Sequence, residues 1–190
     1  GTGSPEGGAG GGGATGSGGS GSTPTGGAGG TGSNIDIVGF TTHYAVGGGG
    51  VSRTSPHNSP VDPHGVGGRG GQTTASTSGR FSTGGGGGAR RGDNVGLTGA
   101  GGSGIVVVRY QIGTLETSDA KASGGLISFY NNKTIHAFTS SGTFATNPGF
   151  SETVEYFMVA GGGGGGGSSG GGGGAGGYLT GTTPVAHPAP

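Results

Sequence analysis

The sequence predicts an all-β, irregular fold: stacked polyglycine II helices joined to short antiparallel β-strands and hairpins, with no α-helix. Three observations predict it. Glycine supplies 59 of the 190 residues, against a usual share of ~7%. Hydrophobic residues make up 26%, against ~45–50% in an average domain, too little side chain for a conventional core at this length. The glycines cluster in runs, and short β-branched and aromatic stretches separate them.

Long glycine runs make poor strands, because they have no side chains to pack. They suit the polyproline-II-type helix, with ~3 residues per turn, ~3.1 Å rise and no internal hydrogen bonds. Its amides point outward in three directions. Without Cβ atoms, neighbouring helices approach closely enough to bond N–H to C=O between them, and Cα–H···O contacts add to this. Such a stack satisfies backbone groups that a long loop would leave unpaired. The segment Gly161 to Gly167 would span roughly 22 Å at that rise. The alternative is low-complexity disorder, since few apolar groups offset a backbone entropy cost that is largest for glycine.

The elements follow in order. Residues 1–112 read as a glycine-rich stack ending in a closing strand. Within it Ile35 to Phe40 alternates weakly, and Tyr44-Ala45-Val46 precedes four glycines. Residues 51–68 carry three prolines and have loop composition. Gly104-Ile105-Val106-Val107-Val108-Arg109-Tyr110-Gln111-Ile112 is the strongest strand signal: β-branched, aromatic and bounded by glycine. Residues 113–125 read as a polar linker. Residues 126–160 read as a small β module, in which Leu126 to Tyr130 pairs with Lys133 to Thr139 across Asn131-Asn132, a tight-turn dipeptide. Thr153 to Val159 is a further strand. Residues 161–190 are a glycine-rich segment that becomes proline-rich at its end. No window shows apolar residues at helical spacing, and glycine costs ~1 kcal/mol per interior helix position.

Composition excludes several classes. There is no cysteine, so no disulfide scaffold. Glycine does not recur at every third position with abundant proline, as collagen requires. Eight Lys and Arg cancel eight Asp and Glu, without the basic excess of a nucleic-acid binder. No apolar stretch approaches the ~20 residues of a membrane helix. The chain opens Gly1-Thr2-Gly3, with neither an initiator methionine nor a signal-like segment, so a processed product or a piece of something longer is expected.

Chemistry-bearing patterns are sparse. His57, Asp62 and His64 share one loop but lack a fourth ligand at a telling spacing, so no metal and no cofactor is expected. Asp36, Asp93 and Asp119 are too scattered for paired acid–base work. Arg91-Gly92-Asp93 spells an integrin-recognised tripeptide, but three residues recur by chance. Arg69-Gly70-Gly71 resembles RNA-binding segments, in one copy only. Gly47 to Gly50 lacks the Gly-Lys-Ser/Thr of a phosphate loop. No nucleophile sits beside a recognisable base and oxyanion motif, so an enzyme is not expected. Rigid scaffolds display recognition loops, which makes Arg53, His57, Asn58, Asp62 and His64 the first binding candidates. Tyr44, Phe81, Arg90 and Arg91 are weaker candidates for the same surface.

Specific strings carry a family resemblance. Val154 to Gly161 with its glycine run, then Gly173-Gly174-Ala175-Gly176-Gly177-Tyr178, resembles the opening of the glycine-rich domain of phage tail-fibre and adhesin proteins. Ile135 to Phe144 resembles the short β module before it, and Gly101 to Tyr110 its closing strand. The resemblance implies a polyglycine II stack, a fibre or adhesin role, an extracellular or virion-surface location, and tip loops that contact a host cell-surface receptor. The module order is permuted here. Either the chain is cut from a tandem array, or each subunit donates residues 154–190 to a neighbour, a head-to-tail contact that propagates. A bacterial or environmental filament built from the same module is the alternative. An ice-binding protein and a disordered RNA-associated protein are more remote.

Overall fold

The structure is a computed structural model that describes residues 7–22, 24–52, 65–71, 75–91, 97–112 and 120–188. Among the described residues there is no α-helix and there are nine β-strands. The chain divides into two compact units. One comprises Gly1–Asn34, His43–Gly104 and Val159–Tyr178, the other Ile35–Thr42, Ile105–Met158 and Leu179–Pro190.

The first unit is built from backbone. Residues 84–90 show its principle. The amides of Gly86 and Ala89 donate to Val46 and Gly49, those of Gly87 and Arg90 to Gly163 and Gly166, and that of Gly88 to Thr77. The carbonyls of Gly84 and Gly87 accept from Gly176 and Gly173, those of Gly85 and Gly88 from Gly102 and Gly99, and those of Gly86 and Ala89 from Gly68 and Gly71. Partners therefore repeat every three residues, the periodicity of a three-residue turn. Among the described residues, six extended segments surround this one: 45–51, 66–71, 75–80, 99–104, 160–167 and 170–177. This is the polyglycine II stack that the composition predicts. The packing demands glycine sterically. A Cβ on Gly87 would lie 2.0 Å from the carbonyl oxygen of Gly99, and one on Gly86 would lie 2.0 Å from that of Gly173.

The segment 161–177 lies within this stack. Its two threads are antiparallel, with Ala160, Gly163 and Gly166 donating to Gly177, Gly174 and Gly171. Ser168 and Ser169, at φ 49° and 69°, turn the chain between them, and Gly170 donates to Gly167 across the turn. Two mirror-image turn residues of this kind match the twist of antiparallel neighbours. β1 (Ser33–Ile35) and β2 (Thr42–Tyr44) form a separate two-stranded ribbon.

The second unit is conventional. β3 (Ile105–Gln111), β5 (Leu126–Tyr130), β6 (Lys133–Phe138), β8 (Ser151–Val159) and β9 (Tyr178–Ala186) form a sheet in the order β5-β6-β3-β8-β9. β4 (Ala122–Ser123) pairs antiparallel with β7 (Ala145–Thr146). The β5–β6 hairpin turns on Asn131 and Asn132, at φ 48° and 58°, and Tyr130 faces Lys133 in the register. That is the two-residue hairpin the sequence predicts. β3 lies antiparallel to β6, with Arg109 opposite Ile135. One buried cluster is aromatic: Tyr110, Phe150, Val154 and Ala122 are buried, with Val108, Phe144 and Val185 packed against them, while Val107, Ile135 and Phe157 are buried as well. The rings of Tyr110, Phe144 and Phe150 meet edge to face, the arrangement that ring quadrupoles favour.

β9 is longer than the sequence predicts. Tyr178-Leu179 reads as leading straight into a proline-rich end, yet the strand continues through Gly181 and Pro184. Both are tolerable because β9 is the edge of its sheet, where a missing N–H faces solvent. Gly181 leaves room for Tyr156, whose hydroxyl oxygen would lie 2.7 Å from a Cβ there.

Candidate functional site

The loop expected to carry recognition falls outside the described residues, and with it Arg53, His57, Asn58, Asp62 and His64. Its anchors are described. Val51 and Val66, on either side of it, are fully buried, and their threads are bonded to each other through Gly49 N–H and the Gly68 carbonyl. The chain therefore leaves and re-enters a fixed scaffold.

The weaker candidates separate. Phe81 stands 77% exposed on a turn that is tightly held. Ser82, at φ 54°, donates its N–H to the Ser103 hydroxyl at 2.9 Å. The Thr83 hydroxyl donates to the Arg80 carbonyl at 2.6 Å, and Gly84 completes the turn at φ 65°. Arg90 and Arg91 sit at the far end of the thread that Gly84 begins, ~20 Å away at ~3.1 Å per residue. They share no surface with Phe81. Tyr44 and Arg90 are both buried, at 3% and 4% exposure. Tyr44 is where β2 runs into the stack: the next residue, Ala45, already donates its amide to the Thr83 carbonyl. Arg90 is still part of the stack, its amide bonded to Gly166. Neither has a side-chain surface to offer a receptor. Phe81 and the half-buried Arg91 remain.

Sequence reasoning missed the charge cluster of the second unit. Glu155 on β8 takes hydrogen bonds from Arg109 on β3, Nη2 at 2.5 Å and Nε at 3.2 Å, and from Lys133 on β6. Arg109 Nη1 also donates to the Asp36 carbonyl at 3.3 Å. The available signal is one arginine on β3 and two glutamates on β8, set among apolar residues, and the adjacent strands bring Arg109 and Glu155 together. Partial burial pushes the Glu155 carboxyl up, but the hydrogen bonds from Lys133 and Arg109 and their positive charges outweigh it and hold it below its ordinary value. One carboxylate committed to two cations is a strut between three strands and a poor proton carrier. A cavity of about 390 Å³ opens beside it, lined among others by Phe40, Tyr130 and Asn131. The loop over it comes close: at Gly39, φ 97°, a Cβ would stand 2.8 Å from the Tyr130 ring.

A second unforeseen feature is β5. All five of its residues are exposed, and Leu126, Ile127, Phe129 and Tyr130 show 70%, 42%, 55% and 56% of their surface. Among the described residues, no three His, Cys, Asp or Glu converge to hold a metal ion. No helix among them is long and apolar enough to cross a membrane.

No curated protein and no solved structure matches the chain. The model of one family, described as a glycine-rich domain, matches residues 1–111 and 139–190, which takes in the whole glycine stack and leaves out the β5–β6 hairpin. The chain belongs to that glycine-rich domain family.

Proposed function

We propose that this chain is a structural subunit of an extracellular fibre of the phage tail-fibre type, adhesive through its loop tips. The single observation that carries the reading is the thread 84–90 with six bonded neighbours. A stack whose interior is mostly peptide groups, with a few small side chains such as Val51 and Val66, is stiff and needs little apolar side chain. It suits a protein that spaces and displays loops rather than one that shapes a catalytic pocket. The sequence 53–64, which has recognition-loop composition, and the exposed Phe81 are the parts that would touch a receptor on a host cell surface.

A second reading is a filament of bacterial or environmental origin, assembled head-to-tail. One observation favours it: the five-stranded sheet ends at β5, an edge without charge or proline, and open edges accept further strands. Negative-stain electron micrographs of the purified chain test both. Fibres attached to virions or short trimeric rods fit the first, and indefinite helical polymers fit the second. A monodisperse monomer at millimolar concentration overturns both.

A further inference from the structure

The geometry points to β5 as a self-pairing edge: β5 of one copy lies antiparallel to β5 of a second copy, about a two-fold axis at Ser128. This goes beyond the fibre reading, because such a contact is isologous and closes at two copies.

The argument begins with what β5 lacks. Natural edge strands are guarded by charge, proline, bulges or covering loops. Residues 126–130 read Leu-Ile-Ser-Phe-Tyr, with none of the first two, and the register with β6 runs without a bulge from Leu126↔Ala137 to Tyr130↔Lys133. The opposite edge, β9, is guarded by Pro184. Four large apolar side chains on β5 are roughly half exposed. Phe40, 69% exposed, lines the cavity that Tyr130 also lines.

The hairpin fixes which groups face outward. In a two-residue hairpin the residues flanking the turn form a hydrogen-bonded pair, and such pairs alternate along the ladder. Tyr130, Ser128 and Leu126 therefore bond to β6, while Ile127 and Phe129 turn their N–H and C=O groups to the free edge.

Those outward groups select the occupant. Pairing Ile127 with Phe129 of a second copy, and Phe129 with its Ile127, satisfies all of them with four hydrogen bonds. The same register sets Leu126 against the other copy's Tyr130, and Ser128 against Ser128. Apolar meets apolar at every position but the axis, where two small hydroxyl side chains meet. Cross-strand pairs of this kind are favourable, and no like charges are brought together. Half-exposed side chains of ~150–250 Å² each give roughly 400 Å² per copy, against ~800 Å² per partner in a standard interface. The contact is thus smaller than a standard interface and weak alone, and within a fibre it would tie neighbouring subunits by avidity.

The test uses the full chain, which has no cysteine of its own. Ser128→Cys puts two thiols on a non-hydrogen-bonded pair, where Cα atoms lie ~4.5 Å apart, within the ~4.4–6.8 Å that a disulfide accepts. Mild oxidation of the concentrated protein is expected to give mostly covalent dimer. Thr183→Cys on β9 is expected to stay monomeric. Ser128→Lys sets two cations on the axis, and sedimentation equilibrium is expected to show dimerisation weakened at least tenfold, with an unchanged far-UV spectrum. The proposal is overturned if oxidised Ser128→Cys stays monomeric, or if it cross-links faster to Thr183→Cys than to itself. Fibres that persist in micrographs of Ser128→Lys leave the fibre reading standing whichever way the cross-linking falls.

Discussion

The Tyr110 hydroxyl lies 3.1 Å from Nε2 of His136, and the two rings stack with centroids 5.6 Å apart. The other ring nitrogen, Nδ1, is 2.8 Å from the Gly124 carbonyl oxygen. A carbonyl only accepts, so Nδ1 donates to it, and in the neutral ring Nε2 accepts from the tyrosine. Both residues are fully buried, at 1% and 0% exposure. Tyr110→Phe keeps the ring and strands a buried acceptor, a loss of ~1–3 kcal/mol. Denaturant unfolding followed by tyrosine fluorescence measures it. Burial also raises the Tyr110 phenol above 10.0. A raised value means that this contribution is complete below about pH 10 and is lost as pH climbs through the higher folded value. The alkaline limb of a stability–pH curve should therefore flatten in Tyr110→Phe.

Glu155 sets the acid limb. Its carboxyl is held below 4.5 by Lys133 and Arg109 in spite of partial burial. A lowered acid contributes stability that is whole above about pH 5 and is lost as pH falls through the depressed folded value. Glu155→Gln should melt lower than the parent at pH 6, and the gap should narrow as pH falls below 4.5 and through the depressed folded value. Thermal melts across that range decide it. A constant gap at all pH values would mean that the residue acts through packing and not through charge.

The turn bearing Phe81 separates display from stability. Phe81 is 77% exposed, so Phe81→Ala should stay within ~0.5 kcal/mol of the parent and, on the adhesive reading proposed above, weaken binding to host cells. Ser103→Ala removes the hydroxyl that accepts from Ser82 N–H at 2.9 Å. It should cost ~0.5–1 kcal/mol and raise hydrogen exchange at Ser82. Exchange-detected mass spectrometry and a cell-binding assay, run on both variants, give the two readouts.

How far the sequence reaches follows from where its side chains are. β3 and β8 are readable because Val106-Val107-Val108 and Val154 to Val159 are β-branched and aromatic. The β5–β6 turn is readable because asparagine tolerates positive φ at both Asn131 and Asn132. β9 is hidden by Gly181 and Pro184, which speak against a strand until its edge position is known. The burial of Tyr44 and Arg90 is hidden too, because it depends on which threads flank them. Glycine runs are degenerate in just this respect. Nothing in Gly161 to Gly167 says that it lies beside residues 84–90, since every run offers the same donors and acceptors. The exposure of β5 is invisible for a related reason: Leu-Ile-Ser-Phe-Tyr reads only as one strand of a hairpin, and the strand order puts it at an edge.

The stack itself makes the sharpest prediction, because its glycines are not equivalent. Gly87 is buried, and a Cβ there would lie 2.0 Å from the Gly99 carbonyl oxygen and 2.7 Å from that of Ala100. Those oxygens belong to a bonded thread and cannot withdraw without breaking the Gly99-to-Gly88 and Gly102-to-Gly85 hydrogen bonds. Gly87→Ala should cost ~3 kcal/mol or more, the upper range for overpacking. Gly164 occupies the outward position of its thread. It is exposed, and the nearest atom to a Cβ there is the Gly99 carbonyl oxygen at 3.6 Å, ordinary contact. Gly164→Ala leaves the packing intact and reduces the freedom of the unfolded chain, so it should be neutral or stabilise by ~0.5 kcal/mol. The same one-methyl change thus takes opposite signs on two threads. Thermal unfolding of the two variants measures the contrast. Equal effects would mean that the threads are not packed by backbone contact, and the three-residue partner repeat would lose its structural meaning.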